Sequence, residues 1–149
     1  ASLGADVPVC LAGGCQRIAG LGETMTPIDL DLAGSILLVN PRIPLSTKEV
    51  FTRFTGPISG FAGSVSDLDA AGMVRLGNDL TATAIELAPA INSCLDRLAR
   101  SKGAIATAMS GSGASCFALF GHIDNAEIAA ATFENAGYWA RASMFYQPD

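Results

Sequence analysis

Ser110, Gly111, Ser112 and Gly113 stand together in TAMSGSGASCF, residues 107 to 117, between two apolar runs. Glycine permits positive φ and close approach of a ligand, and a turn of successive backbone N–H groups can cradle a phosphate. The same residues would serve as a tight hairpin between two strands, IATAM and SCFALF. A second group with chemical potential is Asp6, the one carboxylate in LGADVPVCLAGG. A charge set among Leu3, Val7, Val9, Cys10 and Leu11 needs hydrogen bonds or a cation, because burying it alone is very costly. Two roles fit it. Ahead of Pro8 it would cap a short helix; held ionised in a cleft it would act as a general base, worth a rate factor of roughly 10² to 10⁴.

Both groups depend on the elements that carry them. Residues 16–18 and 23–25 read as short strands about the Gly20-Leu21-Gly22 turn. SILLVN, residues 35–40, is a buried strand stopped by Pro41, and Pro44 keeps the adjoining loop extended. Ser46 caps a helix running to about Phe54, with Glu49 completing a capping box. Residues 55–66 are rich in Gly, Ser and Pro and read as an irregular loop. A helical pattern resumes near Asp67, its strongest face being Leu87, Ile91, Leu95 and Leu98. Asp96 and Arg100 pair on its outside, Gly103 ends it, and Pro89 either kinks it or starts a fresh helix. Strands over 105–109 and 115–120 flank the glycine loop, followed by a helix over 125–136 and a last strand over 138–146. From Ser35 onward, strand, helices, strand, strand, helix, strand is the ferredoxin-like split βαβ pattern. The fold class expected is α+β, an antiparallel four-stranded sheet with helices on one face.

At 149 residues, half of them hydrophobic, the chain is long enough for one substantial core. No run approaches the roughly 18 uncharged apolar residues of a membrane span, and no charged-then-apolar leader opens the sequence. A cytoplasmic location is expected. The net charge of −5, with Lys48, Lys102 and seven scattered arginines as the only strong bases, argues against nucleic acid as a partner. A small phosphorylated ligand remains compatible with it. Cys10, Cys15, Cys94 and Cys116 lack CxxC spacing and read as buried reduced thiols. The single histidine, His122, reads as a surface residue at a strand end.

Four segments, LGADVPVCLAGG, GLGETMTPI, VNPRIPLSTKEVF and AMSGSGASCFALF, succeed one another in an order that resembles the 4-diphosphocytidyl-2-C-methyl-D-erythritol kinases. That family lies within the galactokinase, homoserine kinase, mevalonate kinase and phosphomevalonate kinase (GHMP) superfamily, and the resemblance runs from Leu3 to about Trp139. It implies phosphoryl transfer from ATP to the 2-hydroxyl of the methylerythritol substrate, with magnesium as a second cofactor whose ligands fall mostly upstream. It implies that Asp6 orients or deprotonates the attacking hydroxyl, and that Ser110, Gly111, Ser112 and Gly113 border the active site near the phosphates. Phe51 falls where the family places an aromatic ring against cytosine, and Thr47 is a candidate polar contact with the substrate. On residue pattern alone Phe51 is a core residue pairing with Phe54 at i+3. Asn78 and Asp79 in LGNDL read as caps of the next helix, without chemistry.

The family is substantially longer than this chain, and its amino-terminal half carries a lysine and a glycine-rich ATP loop that have no counterpart here. The expectation is therefore a carboxy-terminal part: residues 1–34 as the remnant of an amino-terminal kinase domain, residues 35–149 as the GHMP carboxy-terminal domain, inactive alone. Two other classes fit the same elements. One is another GHMP small-molecule kinase of the homoserine or mevalonate type; the other is a non-catalytic ferredoxin-like binding module.

Overall fold

The alternating burial of SILLVN marks the centre of the fold. In a computed structural model, which describes residues 7–20, 24–28, 30, 33–59 and 69–145, Ser35, Leu37 and Val39 are buried and Leu38 is exposed. That is the period of two of a strand with one covered face. Ahead of it come a short helix α1 (Val7–Ala12) and an antiparallel hairpin of β1 (Cys15–Ala19) and β2 (Thr24–Ile28). The central strand is β3 (Ser35–Asn40), succeeded by helices α2 (Thr47–Arg53), α3 (Ala70–Arg75), α4 (Thr81–Leu87) and α5 (Ala90–Ala99). Strands β4 (Ala104–Met109) and β5 (Cys116–Phe120), helix α6 (Ile123–Asn135) and strand β6 (Trp139–Met144) complete the chain.

The four later strands form one antiparallel sheet in the order β4-β5-β3-β6, the ferredoxin-like arrangement expected from the element order. Helices α5 and α6 cover the face that carries Leu37, Val39, Cys116 and Phe120. Ile91, Cys94 and Leu98 on α5 and Phe133 on α6 are fully buried there. Each such aliphatic or aromatic side chain contributes roughly 1.5 to 3 kcal/mol relative to exposure. Phe133 meets Tyr138 edge to face at 5.2 Å, and the Arg97 guanidinium lies 5.1 Å from the Phe133 ring centre, closing the outer side of the core. Helix α3 packs beside the edge strand β4, burying Ala71 and Gly72.

Local signals account for most boundaries. The Ser46 hydroxyl accepts the Glu49 N–H at 3.3 Å and starts α2, while the Glu49 carboxylate turns forward to Arg53 at 3.0 Å instead of back to the cap. Asp69 caps α3 by accepting the Gly72 N–H at 2.6 Å. Pro89 starts a fresh helix: α4 ends at Leu87 and α5 begins at Ala90, because proline offers no N–H to continue the earlier ladder.

Two expectations on α5 need correction. Asp96 and Arg100 form no ion pair; the Asp96 carboxylate accepts from Asn92 Nδ2 at 3.3 Å, as an exposed pair gains too little in water to hold two long side chains together. Gly103 does not end the helix directly, which stops at Ala99; it lies in the turn closed by the Ala104 N–H on the Ser101 carbonyl at 3.1 Å. Among the described residues no helix is long and apolar enough to cross a membrane.

Candidate functional site

The pairing of Met109 with Cys116 leaves residues 110–115 as the link between β4 and β5. This link closes on itself through the Ser110 N–H to the Ser115 carbonyl at 2.9 Å and the Gly113 N–H to the Ser110 carbonyl at 3.0 Å. Gly111 and Gly113 hold φ of +55° and +87°, the left-handed region that glycine enters at little cost. At Gly113 a Cβ would also sit 2.9 Å from Met109 Sδ and 3.2 Å from Leu45 Cδ2, so a side chain there would push these neighbours aside. The segment is thus a hairpin connection, and it is also a loop with backbone donors to spare. The Gly111 and Ser112 amides have no backbone hydrogen-bond partner among the described residues.

Helix α2 brings its own residues to the same place. Thr47 Oγ1 and Ser112 Oγ share a hydrogen bond at 2.9 Å, joining positions 65 residues apart. Phe51, one turn further along α2, is 60% exposed, which overturns the reading of it as a core partner of Phe54. Val50 carries the buried face of this helix instead. Thr47, Phe51, Asn78, Ser110, Gly111, Ser112, Gly113 and Ser115 line one open cavity of about 590 Å³, with Leu80 at its side. None of these lining side chains is ionisable. The cavity offers hydroxyls, backbone amides and one aromatic face, a set that can hydrogen-bond phosphate oxygens and lie against a planar ring. No acidic side chain lines it to repel an anion.

Two neighbours hold the loop in place. Asn40, at the end of β3, donates from Nδ2 to Ser115 Oγ at 2.9 Å. Asn78 donates from Nδ2 to the Met109 carbonyl at 3.1 Å and to the Gly111 carbonyl at 2.8 Å, while its Oδ1 accepts the Leu80 N–H at 3.0 Å. The sequence reading of Asn78 as a local cap covered only the last of these. Its link to the loop spans 31 and 33 residues, and nothing local signals that. Asp79 does not cap α4 either: its carboxylate accepts from Ser59 Oγ at 2.5 Å and from the Ser59 N–H at 2.6 Å. The Ser59 hydroxyl, and next the Ser59 amide, hold this carboxyl below the usual aspartate range.

Asp6 lies outside the described residues; α1 begins at the residue after it, with Pro8 in its first turn. Of the thiols, Cys94 and Cys116 are buried as expected, but Cys10 is exposed on α1, which buries none of its residues, and Cys15 is half-buried on β1. A hydrogen bond with Cys94, and then burial, push the Cys116 thiol up and keep it protonated. His122 is exposed ahead of α6. A smaller groove of about 350 Å³ between α5 and α6, lined in part by Arg97, Arg100 and Lys102, contains none of the candidate site residues. Among the described residues no group of three or more His, Cys, Asp or Glu side chains is placed to hold a metal ion.

Comparison with known proteins gives the chain a family and relatives. Residues 63–138 match the family described as GHMP kinases C terminal. The chain is 40% identical over 135 residues to a 4-diphosphocytidyl-2-C-methyl-D-erythritol kinase of Paramagnetospirillum magneticum, covering 87% of this chain and 47% of that protein. It is 40% identical to the kinase of the same name from Granulibacter bethesdensis, over 98% of this chain and 51% of that protein. The chain therefore spans about half the length of the curated relatives it matches. A crystal structure of 4-(cytidine 5'-diphospho)-2C-methyl-D-erythritol kinase superposes with a TM-score of 0.79 at 27% identity, covering 97% of this chain and 55% of that one. A homoserine kinase from Cytophaga hutchinsonii, at 16% identity and a TM-score of 0.70 over 94% of this chain and 50% of that one, shares the fold.

Proposed function

The chain belongs to the GHMP kinases through their carboxy-terminal domain, and from that membership we propose that the protein carrying it phosphorylates the 2-hydroxyl of 4-diphosphocytidyl-2-C-methyl-D-erythritol with ATP. One observation carries the reading beyond the relatives' names. The glycine loop and the PLSTKEVF segment, far apart in sequence, meet through Thr47 and Ser112 on a single cavity. In this reading the Gly111 and Ser112 amides and the Ser110 and Ser112 hydroxyls receive phosphate oxygens. Phe51 lies flat against the cytosine ring, a stack worth roughly 1 to 3 kcal/mol per base. Thr47 gives the substrate a hydroxyl contact at the edge of the loop.

Asp6 orients the attacking hydroxyl and takes its proton, the role a carboxylate plays in transfers that otherwise depend on positioning and charge. A magnesium ion, when bound, would neutralise charge between the phosphates. The described residues do not supply a ligand set for it. Residues 1–34 belong, on this proposal, to an amino-terminal kinase domain and residues 35–149 to the carboxy-terminal one, in a cytoplasmic enzyme. The exposed ring at Phe51 favours this substrate over homoserine or mevalonate, which have no aromatic face to stack.

The test is ATP consumption with 4-diphosphocytidyl-2-C-methyl-D-erythritol by the full-length protein, by its Asp6→Asn variant and by this chain alone. Turnover by the full-length protein that falls by a factor of roughly 10² or more in the variant is the expected result, with none from the chain alone. A folded full-length protein inert toward this substrate would overturn the assignment. Full activity of the variant would move the base elsewhere and leave Asp6 as a helix cap.

A further inference from the structure

The glycine loop has a conformational problem that its own residues do not solve. Gly111 lacks a Cβ, so the peptide unit between Gly111 and Ser112 can rotate and present either its carbonyl or its N–H to the cavity. A carbonyl aimed at a phosphate oxygen repels it, whereas an N–H attracts it. Because the peptide unit is planar and trans, its C=O and N–H point in opposite directions, and fixing one fixes the other.

Asn78 supplies the fix. A side-chain amide has two N–H donors, and Nδ2 of Asn78 gives one to the Gly111 carbonyl at 2.8 Å and the other to the Met109 carbonyl at 3.1 Å. The first bond draws the Gly111 carbonyl to Asn78 and turns the Ser112 N–H away from it. The second anchors the loop where it leaves β4, on the peptide unit whose N–H, that of Ser110, is already committed to the Ser115 carbonyl. Asn78 is itself held, since its Oδ1 accepts the Leu80 N–H at 3.0 Å at the start of α4. The residue next to it, Asp79, engages Ser59 on the other side. Two adjacent residues thus tie the glycine loop and the segment after α2 to one helix start.

We propose that Asn78 is a positioning residue for phosphate recognition, aiming the Ser112 amide by holding the Gly111 carbonyl. The proposal rests on the kinase reading above for the identity of the ligand, and adds to it the device that orients the loop. Asn78→Asp discriminates sharply, because a carboxylate oxygen still accepts the Leu80 N–H while both donated bonds become repulsions between oxygens. Asn78→Ala removes all three bonds without adding a charge.

The experiment uses the full-length protein and measures ADP binding by calorimetry, the separate KM values for ATP and for the diphosphocytidyl substrate, and the ¹⁵N-¹H resonance of Ser112. Both variants should bind ADP at least about tenfold more weakly, as expected for losing a directed bond to a charged group. KM for ATP should rise by a similar factor, KM for the other substrate should stay within about twofold, and the Ser112 resonance should move. If wild type binds ADP and the folded variants bind it equally well with Ser112 unmoved, the inference is overturned and the kinase reading stands. If folded wild type binds no adenine nucleotide, the kinase reading falls and takes this inference with it. Loss of fold in both variants would make Asn78 a structural residue and would equally overturn the proposal.

Discussion

Alanine at Gly113 and alanine at Gly111 impose the same backbone cost but different packing costs. Both positions hold positive φ, which costs a non-glycine residue roughly 1 to 2 kcal/mol. A Cβ at Gly111 meets nothing within 4 Å, whereas at Gly113 it meets Met109, Leu45 and Ile91. Urea denaturation should therefore place Gly113→Ala below Gly111→Ala by a further 1 kcal/mol or so, the low end of an overpacking penalty. Equal midpoints would mean that the loop yields freely around position 113. Phe133 and Phe51 separate in the opposite sense. Phe133 is 1% exposed, and Phe133→Ala should cost about 3 to 5 kcal/mol. Phe51→Ala should change stability by less than about 0.5 kcal/mol yet weaken binding of the diphosphocytidyl substrate to the full-length protein by about 1 to 3 kcal/mol. Calorimetry showing unchanged affinity would remove Phe51 from the site.

Between elements, the Asp79–Ser59 contact varies in strength with pH. Its carboxyl titrates below the ordinary aspartate value because the Ser59 hydroxyl and amide bond the charged form. A lowered pKa contributes stability above the unfolded value, about 3.9, and loses it as pH falls through the lower folded value. The Ser59 amide resonance should hold steady down to that pH and shift only below it; a midpoint at or above about 3.9 would deny the bond. The same scale shows what the sequence made legible. The β3 span was readable to the residue because an unbroken apolar run and Pro41 mark both its character and its end, and Pro89 marked the division between α4 and α5. The glycine loop was legible as a type of turn for the same local reason. Signals that required knowing the partner were not: Asp96 found Asn92 rather than Arg100, and Phe51 turned outward although its spacing to Phe54 fits a buried pair. Asn78 reads in sequence like any capping amide, since both carbonyls to which its Nδ2 donates lie on a strand and loop more than 30 residues away. The turnover of Asp6→Asn decides between the two roles read for Asp6.

Across the molecule, burial is uneven along the chain. Among the described residues from 7 to 28 none is buried, and a lone two-stranded hairpin has little stability of its own in water. Shortening the chain to residues 33–149 should accordingly shift its melting temperature by less than about 2 °C, whereas a drop of 6 °C or more would reveal core contacts made by the removed segment. Within the remaining unit the central strand has an unusual position in time. Ser35 contacts Phe120, its register partner on β5, 85 residues later in the chain, and the other neighbour, β6, comes later still. At translation rates of about 5 to 20 residues per second, SILLVN waits roughly 4 to 17 s before its first partner strand is even synthesised. Six uncharged, largely branched apolar residues without proline or glycine are also the kind of segment that pairs with copies of itself. The strand that ends at the centre of the sheet is therefore the one left longest without its partners during synthesis.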